Sequence, residues 1–272
     1  MARYRATLAY DGTGFLGFQK QGTGRTVQAE VEAALRAVFG QPVSVVGAGR
    51  TDAGVHATGQ VIAFDAEWLH GDDALLTVLN HALPQDIALR DLAQQADFHP
   101  RYDALARAYR YDVMPTSPVR HPLMSRLAWQ IAQPLDVPRM NEAASLLLGE
   151  HDFATFGRPP KGTNTVRVVY ESVWRQHESL YGPVCSYSIE ATAFLHHMVR
   201  RIVTMLVDVG RGWQTVTQFE TAFRAASLRC AGKPAPPQGL VLVHVRYPPP
   251  GQKNERNGYR RDTAPPEVRD EG

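Results

Sequence analysis

Gly47-Ala48-Gly49-Arg50-Thr51-Asp52-Ala53-Gly54-Val55-His56-Ala57 sets one carboxylate, Asp52, in a glycine-bracketed loop, with Arg50 two residues before it and His56 four after. Val43, Val45 and Val46 precede the loop and Val61 and Ile62 follow it, so a buried strand is expected on either side. A stiff polar loop between buried strands is where a fold presents a reactive side chain, and the glycines allow sharp turns or close approach to a ligand. Gly47-x-Gly49 starts like a dinucleotide fingerprint, but Asp52 stands at the third glycine position and would repel a pyrophosphate. No Gly-Lys-Ser/Thr follows, which excludes a Walker loop. Aspartate beside glycine is also a common turn or N-cap residue, so local chemistry alone leaves Asp52 open between a structural and a catalytic role.

Working outward, strands are predicted over Arg3 to Tyr10, Val43 to Val46, Gln60 to Phe64, Ile87 to Leu92 and Ala106 to Val113. Helices are predicted over Thr26 to Phe39, where Val27, Val31, Leu35 and Val38 share a face, and over Gly71 to Leu83. The outline then repeats. Helices are expected over Pro138 to Leu148, Ala193 to Gly210 and Val216 to Leu228, and strands over Val166 to Gln176, Val184 to Ala193 and Gly239 to Tyr247. Strands interleaved with helices twice over predict two α/β halves with a boundary near Arg101 to Pro115. Residues 1–104 are expected to form the N-terminal subdomain with the Asp52 loop, and residues 105–247 the C-terminal one. The proline-rich, charge-balanced stretch 248–272 reads as a disordered tail.

With 272 residues, 44% apolar and 21% charged, the chain has the composition of a globular protein, and no run approaches the ~20 apolar residues that span a bilayer. Met1-Ala2-Arg3-Tyr4-Arg5 lacks the apolar core of a signal peptide, and Cys185 and Cys230 have no Cys-x-x-Cys partner. Both features predict a cytoplasmic protein with reduced thiols. A net charge of +2 is too small to argue for a nucleic-acid partner. Only Lys20, Lys161, Lys233 and Lys253 of the 29 basic side chains are lysines. Arginine suits phosphate and base stacking, although a GC-rich genome produces the same bias.

Five separated motifs resemble those of the tRNA pseudouridine synthases that act on the anticodon stem-loop. They are Ala9-Tyr10-Asp11-Gly12-Thr13-Gly14-Phe15-Leu16-Gly17-Phe18-Gln19; the Asp52 loop; Phe98-His99-Pro100-Arg101-Tyr102 with Ala106-Arg107-Ala108-Tyr109-Arg110-Tyr111; Phe194-Leu195-His196-His197-Met198-Val199-Arg200-Arg201; and Gly239-Leu240. They stand in the family's order across roughly residues 3–247. The resemblance implies an α/β (α+β) pseudouridine synthase fold, with two subdomains sharing a mixed, mostly antiparallel sheet around a central cleft. It also implies cofactor-free isomerisation of uridine at tRNA positions 38, 39 and 40, by a homodimer with tRNA lying across both subunits.

The same resemblance assigns the residues. Asp52 is the catalytic carboxylate. Tyr109 stacks on the uracil and is a candidate acceptor of its C5 proton, with Tyr111, on the same strand face, as the rival. Arg200 pairs with Asp52, with Arg201 as the rival. Leu240 supports the base, and Arg50 fills the gap left by the flipped nucleotide. From the residues themselves, Arg25, Arg101, Arg107, Arg110, Arg158 and Lys161 are candidates for phosphate contact. His56 is read as a loop-stabilising hydrogen-bonder. No metal is expected: on a helix, adjacent His196 and His197 would diverge by about 100°. A non-catalytic tRNA-binding or folding module on the same fold is the alternative, against which the Asp52, Tyr109 and Arg200 set argues. A nucleoside hydrolase would want a second carboxylate or a metal-binding aspartate cluster.

Overall fold

Tyr4, Ala6, Leu8 and Tyr10 turn inward from β1 (Ala2–Tyr10) in the alternation of a half-buried strand. The elements that follow are α1 (Val27–Phe39), β2 (Val46–Gly47), β3 (His56–Ala66), α2 (Asp72–Ala82), β4 (Ile87–Gln94), β5 (Ala106–Pro115), β6 (Trp129–Ile131), α3 (Val137–Ser145), β7 (Gly149–Asp152), β8 (Val166–Ser179), β9 (Gly182–Ala191), α4 (Met198–Gly210), α5 (Val216–Arg224) and β10 (Leu240–Arg246). This computed structural model describes residues 1–115, 119–249 and 252. Apart from Pro248, Pro249 and Gln252, the stretch expected to be a disordered tail lies outside them.

One ten-stranded sheet runs in the order β4-β1-β3-β10-β5-β9-β8-β7, with β2 against β3 and β6 against β5. Every pairing is antiparallel except β3 with β10 and β5 with β6. The α/β fold with a mixed, mostly antiparallel sheet is therefore present. The last strand, β10, lies between β3 and β5 and joins the earlier strands to the later ones. In register, Leu242 faces Ala57 on one side and Tyr109 on the other. That row brings the start of β3, the start of β10 and the middle of β5 to one place.

Local chemistry sets the boundaries. Gly40, at φ 71°, closes α1 in the left-handed region. Thr215 and Gln218 cap α5 reciprocally, and Asp136 caps α3 by accepting from the Arg139 N–H. Val31 and Leu35 of α1 and Leu79 of α2 pack over Ile62 and Phe64 of β3 and Leu89 of β4. On the other half, α3 packs on β8 and on α4 and α5.

Three expected elements differ. Val43 and Val45 are buried, but the backbone of Val45 bonds to α1 side chains instead of a strand: its N–H donates to Glu32 and its carbonyl accepts from Gln28. Only Val46–Gly47 joins the sheet. The helix expected from Ala193 starts at Met198, because His197 is left-handed at φ 62° and cannot continue a helix. The helix expected to Leu228 stops at Arg224, with Ala226 left-handed beyond it.

The β3–β10 joint tolerates no side chain at Gly59, where a Cβ would lie 2.2 Å from the Val243 carbonyl oxygen. Gly59→Ala should lower the unfolding free energy by an overpacking cost of about 1–3 kcal/mol, read as a lower urea midpoint. Gly22→Ala, with open space around the added methyl, should not move it.

Candidate active site

The first motif is wrapped around the Asp52 loop. Phe18 N–H donates to the Thr51 carbonyl at 3.1 Å, and Gly54 N–H to the Phe15 carbonyl at 3.2 Å. Gly17, at φ 104°, is held so close that a Cβ would meet the Thr51 oxygen at 2.6 Å. Three inward side chains fasten the loop from beneath. The Tyr10 hydroxyl lies 2.8 Å from the Thr51 hydroxyl. Fully buried Gln60 donates to the Gly49 carbonyl at 2.9 Å. Arg107 donates to the carbonyls of Ala48, Arg101 and Thr192. His56 is the expected hydrogen-bonder: it accepts from Gly12 N–H at 3.0 Å, and its other ring nitrogen lies 2.7 Å from the Arg126 carbonyl.

On this frame the Asp52 side chain keeps 27% of its surface exposed. Arg200, from the first turn of α4, donates to its Oδ2 at 3.0 Å and through Nε to the Ala235 carbonyl at 2.7 Å. The second bond fixes the guanidinium and, through it, the carboxylate. Arg201 instead donates to the Phe156 and His196 carbonyls, so Arg200 is the partner of Asp52.

Tyr109 is buried, its ring edge-on to Phe194 at 5.1 Å. Burial pushes its phenol far above the ordinary value; Tyr10 adds to the shift, Arg107 opposes it and Asp52 adds to it. Tyr111 is also buried, but its hydroxyl donates to the Pro236 carbonyl at 2.7 Å and its ring packs under Gly239. The rival tyrosine is thus a strut beneath the turn Pro237–Gly239. Leu240 follows that turn, buried and facing Tyr111 in the ladder. Pro237 of the same turn touches Gly54 of the Asp52 loop.

Five sequence motifs therefore converge on one point. A family model described as tRNA pseudouridine synthase matches residues 6–103 and 143–248. The chain belongs to the tRNA pseudouridine synthase family. It is 41% identical over 262 residues to a protein named tRNA pseudouridine synthase A from Shouchella clausii, covering 95% of this chain and 98% of that one. A protein of the same name from Myxococcus xanthus is 40% identical over 91% of this chain and 92% of its own. Another, from Brevibacillus brevis, is 41% identical over 91% of this chain and all of its own.

The remaining arginines separate by what they touch. Arg50 is exposed and makes no hydrogen bond or ion pair among the described residues, so it does not bridge to Asp52. Arg158 and Lys161 are exposed on a loop whose Arg158 carbonyl accepts from His196 N–H at 3.0 Å, beside the site. Arg101 is exposed, with its guanidinium 6.0 Å from the Tyr102 ring. Three candidates for phosphate contact are placed otherwise. Arg107 is spent on three internal carbonyls. Arg25 is held by Asp86 and Glu30 and lies over the Phe15 ring. Arg110 leaves β5 on the face opposite Tyr109 and pairs with Asp112.

Sequence reasoning gave no site role to Tyr10, Gln60, Phe194 or Ala235. Tyr10 carried a signal, as it lies in the first motif and on the inward face of β1. The contact of Arg200 with Ala235 depends on tertiary structure alone.

The buried phenols fix the sign of the alkaline response. Burial holds Tyr10 at about 12 and lifts Tyr109 and Tyr111 further above the ordinary value of 10.0. The folded state keeps protons that the unfolded state releases, so stability present below pH 10 is lost as pH rises above it. Absorbance titration of phenolate should find these tyrosines silent until the chain unfolds, and the Tyr10→Phe variant should be less sensitive to alkali.

Proposed function

We propose that this protein isomerises uridine to pseudouridine in the anticodon stem-loop of tRNA, at positions 38, 39 and 40, with Asp52 as the catalytic carboxylate. The observation that carries the reading is the Arg200–Asp52 pair, 3.0 Å apart on a part-exposed loop. It lies in a chain of the tRNA pseudouridine synthase family. The bond from C1′ to N1 breaks, the uracil turns and C5 bonds to C1′. C5 gives up its proton and N1 gains one, so the product is an isomer and nothing external is consumed. Asp52 acts at the sugar, either attacking C1′ or taking the 2′ proton to give a glycal. A second carboxylate is not required, because the leaving uracil is retained and reused.

In this reading Tyr109 is the platform beneath the base. Its phenol stays neutral at physiological pH, which suits stacking. If it takes the C5 proton, it must release its own in the same step. Leu240 forms the pocket wall. Arg50, exposed beside the loop, fills the stack when the target nucleotide is drawn out. Arg158, Lys161 and Arg101 meet the phosphates, and the active form is a cytoplasmic homodimer. Residues 1–104 and 105–247 act as two α/β subdomains on either side of the cleft. Among the described residues no helix is long and apolar enough to cross a membrane.

Tritium release from C5-labelled, unmodified tRNA tests the chemistry. Asp52→Asn should abolish release and leave tRNA affinity within a few fold; turnover at the wild-type rate would remove Asp52 from the mechanism. Salt dependence tests the RNA contacts. Arg158→Ala should reduce the slope of log K against log salt by about 0.7–0.9. Arg107→Met should leave that slope unchanged and lower the thermal midpoint, since its guanidinium serves the fold.

A further inference from the structure

The turn before α4 sets two imidazoles beside Asp52 without bonding them to it. His56, His81, His99 and His151 each have a ring nitrogen in a hydrogen bond. The rings of His196 and His197 make none among the described residues. Their Nε2 atoms stand 3.8 Å from Asp52 Oδ1 and 3.4 Å from Oδ2, long for hydrogen bonds. The rings lie against each other instead, with centroids 3.7 Å apart and planes 29° apart. The divergence expected of adjacent helical residues does not arise, because α4 starts at Met198 and His197 is left-handed at φ 62°. That conformation is strained for a residue with a side chain and persists only where the surroundings impose it. The stack does not fit a shared metal ion. The in-plane lone pairs of rings lying face to face do not converge on one point, and Arg200 already neutralises the carboxylate.

The backbone beneath the pair is fixed. His196 N–H donates to the Arg158 carbonyl at 3.0 Å, and its own carbonyl accepts from Arg201 at 3.1 Å. A Cβ on Gly157 would stand 2.6 Å from that carbonyl oxygen, so the two segments are in close contact. Only the ring of His196 is unfastened. His197 is the lower ring, with 27% of its side chain exposed, and His196 the upper, with 65%. One face of His196 is covered by His197, so the exposure falls on the other face and the edge. Burial holds the His197 imidazole below its ordinary value, ahead of the opposing pull of Asp52. It is therefore neutral and no counter-charge to Asp52, a task left to Arg200. A flat ring backed by a second ring, open on its outer face and set beside a part-exposed carboxylate, has the form of a shelf for an unpaired base. Phe194, two residues earlier, meets the Tyr109 ring at 5.1 Å, so one short turn joins this shelf to the tyrosine platform. We propose that the outer face of His196 stacks on the base of the nucleotide next to the target uridine, with His197 as the positioning residue that holds the ring. Drawing out the target leaves both of its neighbours without a stacking partner. Arg50 serves one of them in the proposed function, and His196 serves the other. Every base has a π-face, so the contact tolerates any sequence there. Which nucleotide is the target rests on the proposed function; the stacking requires only that unpaired RNA enters the site.

The probe is unmodified tRNA carrying 2-aminopurine on the 5′ or the 3′ side of a target uridine, bound to the whole protein in the Asp52→Asn background so that the RNA is not converted. Stacking quenches this base and unstacking brightens it. With His196 present, the label on one flank should stay quenched on binding. His196→Ala should brighten that label and weaken binding by about 5- to 100-fold. The paired variants separate stacking from hydrogen bonding. His196→Phe keeps a ring without nitrogens and should preserve both quenching and affinity within a few fold. His196→Gln keeps a polar end without a ring and should behave like alanine. His197→Ala removes the lower ring and should brighten the same label, with a smaller loss of affinity. Quenching and affinity untouched by His196→Ala would overturn the shelf, and so would rescue by glutamine but not by phenylalanine. The readout is binding, so it is independent of turnover. A protein that quenches the label through His196 but releases no tritium with Asp52 intact would keep the shelf and lose the proposed function.

Discussion

The structure depends on one late-arriving strand. β10 contributes only Leu240–Arg246, yet it hydrogen-bonds to β3 on one side and β5 on the other and so makes one sheet of two sets of strands. A parallel pairing between β3 and β10 puts their beginnings at the same edge. The loop leading into β3 carries Asp52, and the turn leading into β10 carries Pro237, with Leu240 the first residue of the strand. This loop and this turn touch because the strands behind them are paired. Such contacts join residues nearly two hundred positions apart, so the site exists only after the slowest kind of pairing has formed.

Position alone would not make Asp52 useful, since a loop that moves by an ångström misplaces a reacting oxygen. Fixed donors hold the loop in place. Its carbonyls at Ala48, Gly49 and Thr51 accept from Arg107, Gln60 and Phe18. Buried carbonyls need donors, and this chain meets that need largely with long side chains reaching inward from β3 and β5. The result is a rigid base under a single partly exposed carboxylate.

Much of this was legible in the residues. Alternation marked β1, the 3.6-residue repeat marked α1, and glycines flagged the Asp52 loop, because each is a local rule with a steric or solvation cause. The ends of elements were less legible. Nothing near His197 marks it as left-handed; its neighbours Leu195 and His196 pack against Gly157 while its own ring faces Asp52, contacts that lie far off in sequence. Val45 has the pattern of a strand residue, but Gln28 and Glu32 of α1 hold its backbone. The choice between Arg200 and Arg201, and between Tyr109 and Tyr111, likewise turns on where Ala235, Pro236 and Phe156 lie. Those are contacts at long sequence separation, which periodicity does not report.

The arginines show the same limit most sharply. A guanidinium offers five donors in a fixed plane, and both a phosphate and a set of orphan backbone carbonyls satisfy that fork. Composition therefore cannot separate an arginine that grips RNA from one that satisfies the protein's own carbonyls. Folding makes the separation: Arg107 is consumed internally and Arg25, though exposed, is held by Asp86 and Glu30, whereas Arg50 and Arg158 stay exposed with no side-chain partner among the described residues. Under the proposed function Asp52 works among RNA phosphates, in a repulsive field that the surrounding guanidiniums offset. In that proposal Arg200 has two tasks, orienting Asp52 through Nη1 and offsetting its charge toward the incoming backbone, and its bond to the Ala235 carbonyl holds the guanidinium in place for both.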